Sequence, residues 1–299
     1  MDIIVLLQQA VLNHASDIFV VAGLPVSYRA NGRICREKEE KLMPPQTKEC
    51  VEELYKLAGG RDIRVLEEKG DDDFSFAVPG LSRFRVSAYK QRGALSAVIR
   101  VITFELPEPN EIGIPDPVMS FYNLSKGLVL VTGPAGSGKS TTLACLVDKI
   151  NHSMEKHIIT LEDPIEYLHR HDKSIVSQRE INVDTESYVN ALRASLRQSP
   201  DVILLGEMRD YETIHVAMTA AETGHLLFST LHTIGAANTI DRIIDVFPPN
   251  QQHQIAVQLS MVLNAVVSQQ LIPTVDGGVA PAFEIMTVTP AIRNMIRDN

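Results

Sequence analysis

Apolar and polar positions in the first third of the chain follow the spacings of short helices and strands. In residues 1–14 the apolar side chains recur at i, i+4, i+7 and i+8, which predicts an amphipathic helix. A second helix is expected from Pro44-Pro45 to about Ala58, and a shorter one over residues 61–69. Runs typical of strands cover residues 17–21, 26–29, 33–35, 74–78, 83–89 and 95–103. The pattern therefore predicts a small α+β domain over residues 1–105.

Two polar segments between these elements carry their own predictions. Asn31-Gly32 is a hairpin-turn signal between two predicted strands. The acidic run Gly70-Asp71-Asp72-Asp73 is expected to be a solvated loop, because adjacent like charges usually stay in water.

Two arginines are expected to face each other across the last hairpin of this domain. If Arg92-Gly93 form the turn, Arg85 lies directly opposite Arg100. Like charges facing each other across a strand pair are destabilising, so such a pair suggests an anion between or above them. The alternatives are that both guanidinium groups point into water or that each pairs with a carboxylate.

The second part of the chain has the pattern of an α/β domain. Prolines at positions 107, 109, 115 and 117 predict a linker over residues 106–117, followed by a domain over 118–299. Short continuous apolar runs predict buried strands at 128–131, 157–161, 201–205 and 225–232. Helices are predicted at 185–198, from Asn250 to about Gln270, and from Thr289-Pro290 onward.

One loop in this domain carries a specific chemical signal. A predicted strand is followed by G-x-x-x-x-G-K-S and then by a predicted helix, which is the P-loop in its required context. Backbone N–H groups and the helix N-terminus there bind phosphate oxygens, Lys139 adds a charge at the β- and γ-phosphates, and Ser140 is a Mg²⁺ ligand. The predicted nucleotide-binding residues are Gly133, Pro134, Ala135, Gly136, Ser137, Gly138, Lys139, Ser140, Thr141 and Thr142.

Acidic residues and a histidine follow three other predicted strands. Ligands bind beyond the carboxyl ends of strands in open parallel sheets, so Glu162 and Asp163 are expected to face the nucleotide. Gly206-Glu207 ends another strand; Gly206 stands where such sites usually carry Asp, which leaves Glu207 as the nearest acid. His232 is either a structural histidine or a phosphate sensor.

Composition narrows the functional classes. The net charge of −9 argues against a general nucleic-acid-binding surface. Three widely spaced cysteines, with no C-x-x-C, predict neither a disulfide framework nor a zinc site and favour a cytosolic chain. The N-terminus lacks a basic signal-peptide start and no apolar run is long enough for a membrane helix, so membrane association is expected only through a partner.

Besides the P-loop, the chain contains a set of further short motifs, which are Ala15-Ser16-Asp17, Ala22 to Pro25, Arg83 to Val86, Leu161 to Glu166, Gly206 to Asp210, Ala221 to His225, Thr230 to Thr233, and Ala291 to Ile296. Together these motifs resemble the PilT family of type IV pilus retraction ATPases, within the secretion-ATPase superfamily. The resemblance covers essentially the whole chain. The acidic box, which contains Glu162, and the histidine box, which contains His232, are more specific than the P-loop.

The resemblance implies an N-terminal PAS-like α+β domain joined to a RecA-like P-loop NTPase domain. It implies a homo-hexamer that binds ATP and Mg²⁺ between these domains. It also implies a position at the cytoplasmic face of the inner membrane, where an inner-membrane platform protein is the partner. Ala291 to Ile296 match a motif tied to retraction. Met295 replaces the family's usual Leu, Phe19 replaces a frequent His, and the chain stops at Asn299 where relatives usually continue, so a shortened chain is expected.

The expected mechanism is Mg²⁺-dependent ATP hydrolysis with release of ADP. Glu207 orients or deprotonates the attacking water, and Glu162 is a second acid near the metal, with Ser140. By the resemblance, Arg85 and Arg100 reach the phosphates from the N-terminal domain, and His232 belongs to the histidine box.

Three other functions are also compatible with a P-loop domain. A pilus-assembly or type II secretion ATPase usually carries a four-cysteine metal module, which three scattered cysteines cannot build. A RecA-like nucleic-acid translocase is disfavoured by the acidic net charge. A non-enzymatic nucleotide-binding scaffold is disfavoured by the complete set of Lys139, Ser140, Glu162 and Glu207.

Overall fold

The computed structural model describes residues 2–30, 33–36, 40–275 and 278–298. The chain divides into two compact units, Met1–Phe104 and Glu105–Asn299. The proline-rich stretch predicted as a linker belongs to the second unit in this division. Each unit has its own hydrophobic core and is described separately.

The first unit is a six-stranded antiparallel sheet with three helices. The strand order is β3-β2-β1-β6-β5-β4. The strands are β1 (Asp17–Val20), β2 (Ser27–Ala30), β3 (Arg33–Arg36), β4 (Asp71–Val78), β5 (Ser82–Gln91) and β6 (Ala94–Ile102), and the helices are α1 (Ile3–Leu12), α2 (Pro44–Leu57) and α3 (Arg64–Lys69). Apolar residues of the helices, such as Leu7 and Leu54, pack against inward-facing residues of the strands, such as Phe84. The α+β pattern predicted for this region therefore matches the observed elements.

Strand register tests two of the sequence predictions. Arg85 is the direct partner of Arg100 across β5 and β6, so the predicted pairing is confirmed. The predicted turn at Asn31-Gly32 lies outside the described residues, although β2 and β3 on either side pair antiparallel.

The prediction of a solvated acidic loop at residues 71–73 is wrong. These residues form the start of β4, and their side chains alternate between solvent and core. Asp72 points inward and is buried. Its carboxylate accepts hydrogen bonds from the Tyr55 hydroxyl at 2.8 Å and from Arg61 Nε and Nη2, each at 2.8 Å. Three donors thus compensate a buried charge, which is why an acidic residue is tolerated inside this sheet.

The buried Asp72 predicts a pH-dependent stability. Burial alone would raise the pKa of Asp72, but the hydrogen bonds from Arg61 and Tyr55 outweigh it and hold the pKa below its usual range. This carboxylate therefore stabilises the fold above the pKa of an unfolded Asp, about 3.9, and loses that contribution as pH falls through the folded-state pKa.

Asp72→Asn is expected to lower the free energy of unfolding at pH 7 by roughly 2–3 kcal/mol, because an amide presents N–H groups to donors that need an acceptor. Urea unfolding of the full chain at pH 7 and near pH 3 measures this, and the deficit should shrink at the lower pH. Asp73→Asn, at an exposed neighbour, is the matched control. Equal losses in the two variants at pH 7 would contradict the prediction.

The second unit is built on a seven-stranded sheet in the order β13-β12-β7-β11-β10-β8-β9. Its strands are β7 (Gly127–Thr132), β8 (His157–Glu162), β9 (Ile175–Glu180), β10 (Val202–Leu205), β11 (Leu226–Leu231), β12 (Leu263–Pro273) and β13 (Val279–Thr287). Its helices are α4 (Asp116–Met119), α5 (Lys139–Ser153), α6 (Tyr188–Ser195), α7 (Tyr211–Glu222), α8 (Ala236–Asp245), α9 (Pro249–Val262) and α10 (Pro290–Arg297), with a 3-10 turn at Ser120–Asn123.

All strand pairs in this sheet are parallel except β12 with β13. Separate hydrophobic clusters contain Leu128 and Leu130 on one side and Val129 and Val131 on the other. Because both faces are covered, the central strands are apolar at successive positions rather than at alternate ones.

The predicted helix from Asn250 to Gln270 is wrong in its second half. The helix begins at Pro249 and ends at Val262, and the chain continues as β12. Residues Ala265 to Gln269 are all buried, because β12 lies between β7 and β13. A short apolar run fits either a buried helix or a buried strand, and here pairing with two neighbouring strands decides.

Among the described residues, no helix has the length and apolar character needed to cross a membrane.

Candidate active site

The P-loop, called the phosphate loop below, is the segment from Gly133 to Gly138 between β7 and α5, and it has little room for side chains. Gly133 has a φ of 143°, and a Cβ there would lie 2.1 Å from the backbone oxygen of Gln269. Gly138 has a φ of 86° and precedes α5 without a side-chain cap. The first-turn N–H groups of α5 are therefore not satisfied by a capping side chain, and an anion fits them.

Lys139 brings the positive charge of the site. Its side chain is buried, and Nζ donates hydrogen bonds to the backbone oxygens of Gly133 and Pro134, each at 2.9 Å. Burial lowers the pKa of Lys139, while the charges of Glu207 and Glu166 act in the opposite direction. A buried ammonium group curled over the loop is in place to meet phosphate oxygens.

A cleft of about 270 Å³ opens beside the loop. It is bounded by the loop, by the start of α5 and by residues that follow β8, β10 and β11, so the carboxyl ends of three parallel strands meet there as expected. The lining includes predicted site residues Ala135, Gly136, Lys139, Ser140, Glu162, Asp163, Glu207 and His232.

The other loop residues lie around this cleft. Thr141 Oγ1 is 3.0 Å from the Tyr167 hydroxyl oxygen. Thr142 is buried and its hydroxyl donates to Gln269 Oε1 at 2.8 Å. Ser137 is buried, and its hydroxyl has no hydrogen-bond partner within the described ranges.

Glu207 is held by two neighbours. Arg209 Nε donates to one carboxylate oxygen at 2.7 Å, and His232 Nε2 lies 3.3 Å from the other. The Glu207 carboxylate is mostly buried, whereas His232 is half exposed. His232, which ended a predicted strand, is thus a direct contact of the acid rather than a core histidine.

Gly206 has a steric explanation. A Cβ at this position would lie 2.6 Å from the Tyr188 hydroxyl oxygen and 3.1 Å from the backbone oxygen of Leu161. Tyr188 therefore occupies the space that an aspartate side chain would need. Burial raises the pKa of the Tyr188 hydroxyl, aided by the nearby negative charges of Asp163 and Glu207. The first acidic residue after β10 is accordingly Glu207, one position later than the aspartate usual in such sites.

Glu162 lies at the end of β8 with two side-chain donors. The Thr160 hydroxyl donates to Oε1 at 2.5 Å, and Gln178 Nε2 donates to the same oxygen at 3.3 Å. Burial raises the pKa of Glu162, and these two hydrogen bonds oppose the rise. A carboxylate with an elevated pKa gains from a nearby cation, which keeps it ionised.

The oxygen atoms of this cleft fit a magnesium ion bound together with phosphates. Ser140, Glu162 and Glu207 offer a hydroxyl and two carboxylates, and Mg²⁺ in nucleotide sites takes one or two protein oxygens plus phosphates and waters. In the described part of the chain, no group of three or more His, Cys, Asp or Glu residues could hold a metal by itself.

The two predicted arginines belong to the first unit. Arg100 Nε donates to Asp17 Oδ1 at 3.1 Å, so one of the two pairs with a carboxylate, as the alternative expectation allowed. Arg29 Nε lies 3.9 Å from the other oxygen of Asp17. The cleft described above is lined by second-unit residues.

Sequence reasoning missed several lining residues. Glu166 and Arg209 lie within motifs quoted from the sequence and Tyr167 directly follows one, so these motifs could have pointed to them. Tyr188 and His169 carry no comparable signal, because they reach the cleft from α6 and from the segment after the acidic box. Gln269 does not line the cleft but contacts the start of α5 through Thr142, and the wrong helix prediction over this stretch gave no reason to expect it.

The motif predicted to matter for retraction forms α10. Arg293 Nη1 donates to the backbone oxygens of Ser260 and Met261, at 2.6 and 2.8 Å, near the end of α9. Ile296 is buried, whereas Met295 is largely exposed, so its replacement of Leu lies on the solvent side of this helix.

Comparison with protein families agrees with the geometry of the cleft. The family described as type II/IV secretion system protein matches residues 2–292. The chain belongs to this family.

Individual relatives match most or all of the chain. The chain is 46% identical over 299 residues to the type IV pilus retraction ATPase PilT of Pseudomonas aeruginosa, covering all of this chain and 86% of that protein. It is 48% identical over 237 residues to a twitching motility protein of Neisseria gonorrhoeae, covering 79% of this chain and 63% of that protein. A crystal structure of the pilus retraction motor PilT with bound ADP superposes with a TM-score of 0.91 at 47% identity, covering 100% of this chain and 87% of that chain.

Proposed function

We propose that this chain is an ATPase that powers the retraction of a type IV pilus. The observation that carries the proposal is a phosphate loop flanked by two acids and a histidine, in a chain that is similar over its full length to a pilus retraction ATPase. The family membership and the presence of Lys139, Ser140, Glu162 and Glu207 support ATP hydrolysis rather than passive nucleotide binding.

In the proposed reaction the protein positions the phosphates and stabilises developing charge. The loop N–H groups and Lys139 hold the β- and γ-phosphates, which take the place of the backbone oxygens that Lys139 now contacts. Glu207, fixed by Arg209 and His232, orients the attacking water and accepts its proton. His232 thereby senses the γ-phosphate through Glu207.

Ser140, Glu162 and Glu207 would hold Mg²⁺ at this site. When bound there, the metal would supply positive charge that offsets the charge developing on the phosphates. Glu162, whose pKa burial raises, is then kept as a carboxylate by the cation.

The proposed assembly is a homo-hexamer in which a PAS-like first domain and a RecA-like second domain enclose the nucleotide. Arg85 and Arg100, adjacent on β5 and β6, would reach the phosphates from the first domain. The ring would act at the cytoplasmic face of the inner membrane through a platform protein. Domain closure around ATP would then couple hydrolysis to movement of that partner.

Arg85→Ala and Arg100→Ala are each expected to lower kcat for ATP hydrolysis, since an arginine that reaches a transferring phosphate contributes about 10³–10⁵-fold in other NTPases. Steady-state hydrolysis by the assembled protein measures this. The matched control is Arg36→Ala, an exposed arginine on the edge strand β3. Normal kcat in both variants, with the oligomer intact, would remove the arginines from the site without affecting the assignment of the cleft.

The function itself is tested in two steps. Purified chain should hydrolyse ATP with Mg²⁺, and added DNA or RNA should leave the rate unchanged. A nucleic-acid translocase would instead hydrolyse ATP faster when DNA or RNA is added. Expression in a Pseudomonas aeruginosa strain that lacks its own PilT should restore twitching, whereas a Lys139→Ala version should not. Hydrolysis without restored twitching would support the ATPase but reject pilus retraction for this chain in that host.

A further inference from the structure

Gln269 lies on β12, beside the strand that leads into the phosphate loop. β12 is parallel to β7 with Ser268 opposite Thr132, so Gln269 is level with the first residue of the loop. Its side chain is only 3% exposed. A carboxamide in such a place costs free energy unless it is hydrogen-bonded, so its contacts are informative.

One residue touches both ends of the loop. A Cβ on Gly133 would lie 2.1 Å from the backbone oxygen of Gln269 and would collide with it. Its side-chain Nε2 lies 2.9 Å from the position of a Cβ on Gly138. Its Oε1 accepts the hydrogen bond from the Thr142 hydroxyl, at 2.8 Å, in the first turn of α5. The first glycine, the last glycine and the start of the helix are thus all in contact with Gln269.

We propose that Gln269 is a positioning residue that fixes the phosphate loop in its anion-binding form. The inference rests on the proposed role of this loop as the nucleotide site. A phosphate is bound by several N–H groups at once, so the loop and the first turn of α5 must keep one relative orientation. The hydrogen bond from Thr142 is directional, and it ties α5 to β12 at this point.

Each partner of the hydrogen bond between Thr142 and Gln269 can be removed separately by substitution. Gln269→Met keeps the length of the side chain and removes its hydrogen-bonding atoms, and Thr142→Val removes only the hydroxyl. Each is expected to raise the Kd for ADP about tenfold, and the double variant should also be only about tenfold weaker, because both changes break the same bond. The value of kcat at saturating ATP should change far less than KM, since the loop binds ground state and transition state alike.

Isothermal titration of the full chain with Mg²⁺-ADP measures these affinities, and thermal unfolding shows that each variant is folded. Gln270→Met is the matched control, because Gln270 is the exposed neighbour on the same strand, and its Kd should equal that of the original chain. An unchanged Kd in folded Gln269→Met, or a loss of about a hundredfold in the double variant, would overturn the inference. If Gln269→Met fails to fold, Thr142→Val carries the test, and an unchanged Kd there would equally overturn it.

Lys139→Ala separates this inference from the proposed function. Loss of ADP binding in Lys139→Ala together with normal binding in Gln269→Met would reject Gln269 alone. Normal ADP binding in Lys139→Ala would reject the loop as the nucleotide site.

Discussion

Replacing Lys139 with alanine is expected to reduce ATP hydrolysis by roughly 10²–10³-fold or more, the scale seen when one donor to a developing charge is removed. Lys139 is buried and turned over the loop, and among the described residues that line this cleft no other lysine is present to take its place. The same change removes a charge-assisted hydrogen bond to bound phosphate, and the Kd for ADP should therefore rise as well.

Hydrolysis and ADP titration on the full chain measure both effects. Lys149→Ala is the matched control, since Lys149 lies on the same helix, is exposed and rests over the Tyr122 ring. Full activity in Lys139→Ala would refute the assignment of the loop.

Glu207→Gln is expected to lower kcat by about 10²–10⁴-fold, the usual contribution of a general base, while ATP and ADP still bind. The amide keeps the shape of the side chain and an oxygen for Arg209, but it cannot accept a proton from water. The contrast with Lys139→Ala is diagnostic, because Lys139→Ala is expected to weaken nucleotide binding as well as hydrolysis, whereas Glu207→Gln is expected to slow only the chemical step.

Single-turnover hydrolysis with pre-bound ATP separates these two steps. Glu222→Gln, at the exposed end of α7, is the matched control and should behave like the original chain. Turnover at the original rate in Glu207→Gln would pass the role of base to another group, and Glu162 would then be the next candidate in the cleft.

Local signals in the sequence predicted the centre of the site. The phosphate loop needs glycines at fixed places and a strand and a helix on either side, and all of these are encoded within a few residues. The acids at 162 and 207 could be placed because parallel strands bring their carboxyl ends to one edge. The opposition of Arg85 and Arg100 followed from the hairpin turn alone.

Three features of the structure depend on contacts between distant residues, and the local sequence pattern did not predict them. The acidic run at residues 71–73 is a strand because it pairs with β5, and the buried Asp72 is tolerated there because Tyr55 and Arg61 supply donors. The stretch after Val262 is a strand because β7 and β13 flank it. Gly206 replaces an acid because Tyr188, from another helix, fills the space. In each case the deciding atoms come from elements that a local pattern does not reach.

The path of β12 gives the molecule a short mechanical connection. Arg293 of α10 donates hydrogen bonds to backbone oxygens in the last turn of α9. The strand β12 follows α9 directly and contacts the phosphate loop and the start of α5 through Gln269. A force on α10 would thus be transmitted through the end of α9 and along β12 to the phosphate loop. In the proposed retraction ATPase, the response to load and the release of ADP would then depend on the same peptide units of β12.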